Sequence, residues 1–152
     1  MALVIGLPAA ALAACTSAPD GGDEPTSDPQ PTPGSASATS EAQLIAQYEA
    51  ALAATPEAEA QTRSLLAQIR DQHRAHLDAL GGAPEASAPS PPASGQDAVA
   101  DLVTAERAAY RERLGACVDA TDLDLARVLA LIAASEAAHV PALRSLAGGG
   151  AS

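Results

Sequence analysis

The chain has 152 residues, 19 acids against eight bases, and a formal charge of −11; all eight bases are Arg. So acidic a surface excludes nucleic acid, whose phosphates need clustered Lys or Arg, and gives no electrostatic grip on anionic lipid. The length suits one domain plus a tether, and no apolar run approaches the ~20 residues of a membrane-spanning helix.

Residues 1–14 read as a secretory signal: an apolar run from Ala2 to Ala14 ending in small residues. The usual basic start is missing, which a start codon placed too far downstream or a truncated N-terminus explains. The stretch Leu12-Ala13-Ala14-Cys15 resembles the lipobox of bacterial lipoproteins. That resemblance implies cleavage before Cys15, lipidation of its thiol, export, and attachment to the outer face of the cell membrane. Two or three acyl chains, at about 0.8 kcal/mol per buried methylene, hold a protein stably on a bilayer.

Residues 15–39 then read as a disordered tether. Thr16 to Thr39 holds five prolines, eight Ser or Thr and four acids, with no Leu, Ile or Val, too little apolar surface to fold. A helical domain is expected over 40–148, with 149–152 as a tail. Ser40 is the expected cap of a first helix, Glu41 to Ala53, whose stripe is Leu44, Ile45, Tyr48 and Leu52. Thr55 is the expected cap of a second, from Pro56 to Leu80, with Leu66, Ile69, His73, His76 or Leu77, and Leu80 on one face. Gly81-Gly82 stops it, and residues 81–95 form a Pro/Ser/Ala linker.

The third helix, Gln96 to Val118, carries Val99, Leu102, Val103, Glu106, Tyr110, Leu114 and Cys117. The fourth, Asp122 to Leu146, carries Leu125, Val128, Leu129, Ile132, Glu136, His139 and Leu143, with a kink expected at Pro141. Cys117, left alone once Cys15 is modified, is expected to be buried. The 3–4 spacing is that of amphipathic helices packed on one another. Two hairpins joined by a 15-residue linker give an all-α four-helix bundle with one crossover. Extended, the linker reaches about 50 Å, more than the ~37 Å of the second helix.

Leu65–Leu80 aligns without gaps on Val128–Leu143, with seven of sixteen pairs identical, His76 on His139 and His73 on Glu136. Glu136-Ala137-Ala138-His139 places a carboxylate and an imidazole one turn apart on one helix face. In di-metal four-helix bundles two such pairs and two single glutamates converge in the core. Counted from the turn near Ala120, Glu106 and Glu136 differ in depth by only about 3 Å. Counted from Thr55, Glu41 and His73 differ by about 6 Å, so helix one has no glutamate at a clearly matching depth.

The leader, the tether and the Glu136/His139 pair together resemble the ferritin-like-domain lipoproteins of high-GC bacteria. The resemblance implies a ferritin-like fold and, for carboxylate-bridged metal chemistry, Glu106, Glu136 and His139 as ligands. His73 and His76 are the equivalent pair on helix two, with His in place of Glu, so a di-iron site is incomplete. A single transition metal, Zn, Fe, Ni or Mn, suits Glu and His donors. The same residues can instead satisfy one another in a hydrogen-bonded network. The role expected is that of a non-catalytic envelope interaction module, alone or as a homodimer; the alternative is a metal-binding domain with a storage or redox role.

Overall fold

The computed structural model describes residues 32–149 except 83, 85 and 88. The signal, Cys15, the tether as far as residue 31 and the tail from 150 lie outside the described residues. Four helices, α1 (Pro33–Ala54), α2 (Ala60–Ala79), α3 (Gly95–Asp119) and α4 (Leu123–Gly149), make an all-α bundle. None of the described helices is long and apolar enough to cross a membrane.

Local chemistry sets the ends, and it moves two of the expected boundaries. Helix α1 begins eight residues before Glu41. The Thr32 hydroxyl accepts from the Ser35 amide at 3.2 Å and Pro33 occupies the first turn, a pre-formed helix start. Residues 33–39 therefore belong to the bundle and not to the tether. They bury through small side chains, Ser37 and Ala38, while Gly34 abuts Leu125 of α4.

The second shift is at the first turn. Thr55 closes α1 instead of opening α2: its amide and its hydroxyl both donate to the Ala51 carbonyl, at 3.0 and 2.7 Å. The following Pro56 favours the extended backbone that Thr55 adopts, so residues 56–59 form a turn and α2 starts at Ala60. Arg63 of α2 reaches back to the carbonyls of Leu52 and Thr55, at 2.6 and 2.7 Å, supplying charge and donors where α1 leaves acceptors unmet. The other ends lie within three residues of expectation, the largest shift being that of α4, which runs to Gly149 and not Leu146. Gly81 and Gly82 take φ of 98° and 80° and stop α2. Ser94 caps α3, Asp122 caps α4, and α4 runs through Pro141 as one helix.

Helix α1 packs on α2 and α3, and α4 packs on α3 and, most thinly, on α2. The start of α3, Gly95, lies against Ala54 and Thr55 at the end of α1, whereas the start of α1 lies against the start of α4. The order is thus up, down, down, up. The crossover between α2 and α3 must traverse the bundle, and its prolines Pro89 and Pro92 lie over the α1–α3 seam.

A core of Tyr48, Ala51, Leu66, Ile69, Ala98, Val99, Leu102 and Leu143 fills the half nearer the α1–α2 turn. Buried Leu129 and Ile132 lie toward the opposite end of α4. Between these apolar layers the bundle buries Glu41, His73, Glu106, Arg113, Glu136 and His139. Two stripe assignments change. Leu114 is 43% exposed and Arg113, its neighbour, takes the interior position. Cys117 is half-buried, with its thiol donating to the Ala126 carbonyl at 3.3 Å.

Replacing Arg63 by Ala leaves the Leu52 and Thr55 carbonyls without their charged donor. Loss of about 1–3 kcal/mol of unfolding free energy is expected, read as a lower urea midpoint at unchanged slope; an unmoved midpoint would show the cap to be idle.

Candidate metal centre

The polar layer comes from the length of the hairpins. Glu41 stands 13 residues before the end of α1 at Ala54, and His73 stands 13 after the start of α2 at Ala60. Glu106 stands 13 before Asp119, and Glu136 13 after Leu123. Four side chains from four helices therefore arrive at one level. Glu41, counted too shallow when the 56–59 turn is taken as helix, is at matching depth after all.

His73 is the hub. Its Nδ1 lies 2.7 Å from Glu41 Oε2 and its Nε2 lies 2.9 Å from Glu106 Oε1, all fully buried. Around Glu106, His139 Nδ1 approaches Oε1 at 3.1 Å and the Tyr48 hydroxyl donates to the same oxygen. Around Glu41, the Arg113 guanidinium donates to Oε1 from Nη2 at 3.0 Å and Nε at 3.3 Å, while His76 Nδ1 lies 3.6 Å from Oε2. Glu136 stands apart from the imidazoles. Its Oε1 faces Arg113 Nε at 3.6 Å, and neither oxygen makes a hydrogen bond.

Of the five sequence-derived candidates, His73, Glu106 and His139 converge. His76 falls on the Glu41 side, and Glu136 falls against Arg113. Two triads bring ligand atoms within 4.8 Å of one another, Glu41/His73/His76 and His73/Glu106/His139. Tyr48, Arg113 and Gln72 were not singled out by sequence. The signal for the first two was a common seven-residue step, Glu41 to Tyr48 and Glu106 to Arg113, two turns along one face of each helix. Gln72 carries no such mark; its Oε1 lies 2.6 Å from His139 Nε2.

Electrostatics follow from these contacts. Burial disfavours the Glu106 carboxylate, but hydrogen bonds from His139 and His73 prevail and hold it down at about 2. Burial likewise opposes the Glu41 charge, and His73, His76 and Arg113 overcome it, leaving Glu41 far below the usual carboxylate range. His73 is pushed down by burial and lifted more strongly by Glu106 and Glu41, to about 9. Glu136 is raised to about 8: burial and the Glu41 and Glu106 charges outweigh Arg113. Tyr48 is held protonated by burial and by Glu106. At pH 7 the charges of Glu41 and Glu106 are thus matched by Arg113 and an imidazolium at His73, with Glu136 neutral.

One edge of the layer opens outward. A cleft of about 290 Å³ on the α2–α4 seam is lined by Gln68, Gln72, Ser135 and His139. Larger hollows of about 650 and 410 Å³ lie beneath the crossover, and none of their lining residues belongs to the cluster. Volume and chemistry do not coincide here, and the chemistry marks the site.

Comparison of the chain with protein-family models, with curated proteins and with solved structures returns no match.

The pH dependence has a definite sign. His73, raised from 6.5 to about 9, contributes stability in full below pH 6.5 that is lost as pH rises through 9. Glu136, raised from 4.5 to about 8, likewise costs stability progressively between those values. Glu106, lowered from 4.5 to about 2, contributes above 4.5 and fails as pH falls through 2. The metal-free protein should therefore melt highest a little above pH 4.5 and progressively lower up to pH 9. Glu136→Gln, which keeps the shape without the charge, should raise the thermal midpoint at pH 8 and leave it near unchanged at pH 4.5; equal effects at both pH values would contradict this assignment.

Proposed function

We propose that the bundle is a ferritin-like, metal-binding domain that holds one divalent transition ion between His73 Nε2, Glu106 and His139 Nδ1. The observation that carries this reading is the convergence of those three donors, from three helices, within 4.8 Å in the interior. The residues also fit such an ion in their supporting contacts. The second oxygen of Glu106 is buried with no hydrogen-bond partner. Gln72 Oε1 can take the Nε2–H of His139, which leaves Nδ1 as the free lone pair. Glu41 takes the Nδ1–H of His73 and is fixed in turn by Arg113. A carboxylate or amide oxygen behind each imidazole is how proteins set the tautomer and orientation of metal-binding histidines.

A two-metal centre does not fit. His73 stands where the second pair would need a glutamate, and the Arg113 guanidinium bonds the remaining glutamate, Glu41. A bound ion supplies a Lewis-acidic point with coordination positions left beyond three protein donors. The chain's own part is to present those donors, neutralise the neighbouring carboxylates and leave the α2–α4 cleft as the way in. The up-down-down-up order with a full-length crossover supports the ferritin-like label.

The leader supports carriage of this domain on a lipidated Cys15, outside the cell membrane. The tether then sets its distance from the bilayer. A second reading, a metal-free interaction module of the envelope, is favoured by one observation: with a proton on His73 the layer is already electrically balanced.

Two measurements test these proposals. Protein stripped with a chelator and dialysed against Zn²⁺, Fe²⁺, Mn²⁺ or Ni²⁺ should retain one ion per chain, and His139→Leu should remain folded and retain none. No stoichiometric uptake of any of these ions overturns the metal reading in favour of the network, which expects His139→Leu to be neutral or stabilising. Mass spectrometry of protein purified from membranes should find residue 15 as a lipid-modified N-terminus; an unmodified Cys15 would refute the anchor.

A further inference from the structure

The two hairpins place equivalent residues in the layer. Glu41 corresponds to Glu106, His76 to His139, and His73 to Glu136, by the spacing from the hairpin ends and the aligned sequences. One heptad beyond the two glutamates, Tyr48 on α1 corresponds to Arg113 on α3. Both side chains cross to the opposite hairpin's glutamate, Tyr48 to Glu106 and Arg113 to Glu41. The halves are alike in layout and differ in where positive charge comes from.

On the Glu106 side the reaching group is a neutral phenol. It satisfies one lone pair and brings no charge, so Glu106 depends on His73 and His139, or on an ion between them. On the Glu41 side the reaching group is a cation. The guanidinium donates twice to Glu41 and lies 3.6 Å from Glu136, with its own side chain fully buried. Glu41, His73 and His76 otherwise meet the same ligand spacing as the first triad. A carboxylate ionised at this depth, as Glu41 is, requires a cation, and here a side chain provides it.

We infer that Arg113 is a resident cation that fills the half of the layer holding Glu41, His76 and Glu136, and so restricts the centre to one divalent ion. The inference rests on the metal reading for the other half, but it is tested as a difference in metal content. Arg113→Tyr gives both halves the same phenol. After chelation and reloading with Zn²⁺ or Mn²⁺, this variant should retain one ion more than the unmodified protein. It should also gain more in thermal midpoint on metal addition, because Glu41 loses its buried counter-charge without Arg113.

Adding Glu41→Gln to Arg113→Tyr should return the count to that of the unmodified chain, and Arg113→Lys, which keeps the charge, should gain no ion. If the tyrosine variant does not fold, Arg113→Gln carries the same comparison. Equal metal content in folded Arg113→Tyr or Arg113→Gln and in the unmodified protein overturns the inference, as does an unmodified protein that already holds two ions. No uptake by the unmodified chain is instead the failure of the metal reading. Even then, one ion gained by the variant supports the resident-cation role and none gained refutes it.

Discussion

Two glutamates ionised in the interior of a helical bundle can exist only where positive charge and hydrogen-bond donors reach them at bonding distance, and the fold is organised around that requirement. Glu41 is served by Arg113 and His73, and Glu106 by His73, His139 and the Tyr48 hydroxyl. Desolvating an unpaired carboxylate costs several kcal/mol even after relaxation. No helix can slip by a turn without separating at least one of these pairs. The equal 13-residue distance from each hairpin end to the layer is therefore a structural constraint as much as a chemical one.

That constraint matters more in this chain than in most. With no Phe or Trp and an Ala-rich interior, the apolar faces are smooth, and smooth faces specify register poorly. Buried polar groups fix register where shape does not. The layer performs that role here whether or not an ion is present, since His73 can carry a proton between the two carboxylates in the same place.

The helices themselves are legible, because Leu, Ile and Val recur at 3–4 spacing and because Gly81-Gly82 is a strong helix stop. The early start of α1 is not. Its first two turns bury Ser37 and Ala38, which give no hydrophobic signal, and Pro33 reads as a tether residue until Thr32 is seen to cap it. The first turn is ambiguous for a related reason: Thr55-Pro56 is as good a helix start as a helix stop, and only the Ala51 carbonyl decides. Of the site, Glu106, Glu136, His139 and His73 stood out as polar breaks in apolar stripes. Glu41 was lost with the misplaced turn. Arg113 is hidden because Leu114 beside it fits a hydrophobic stripe better; its neighbour Glu112 lies 3.2 Å from it, but the buried partners that hold it inside, Glu41 and Glu136, are on other helices and show in no local pattern.

The asymmetry between the halves follows from the residues at positions 73 and 113 taken together. A histidine at position 73 removes one negative charge from the layer, and an arginine at position 113 adds a positive one. Relative to a layer with glutamate and tyrosine at those positions, the chain has two fewer negative charges to balance, the equivalent of one divalent ion. Glu136 is a buried carboxyl with no hydrogen bond, neutral near pH 7 because burial and the charges of Glu41 and Glu106 outweigh the guanidinium beside it. Arg113 thus builds one cation into the protein, and the remaining place, between His73, Glu106 and His139, is the one the proposed ion would take over from a proton on His73.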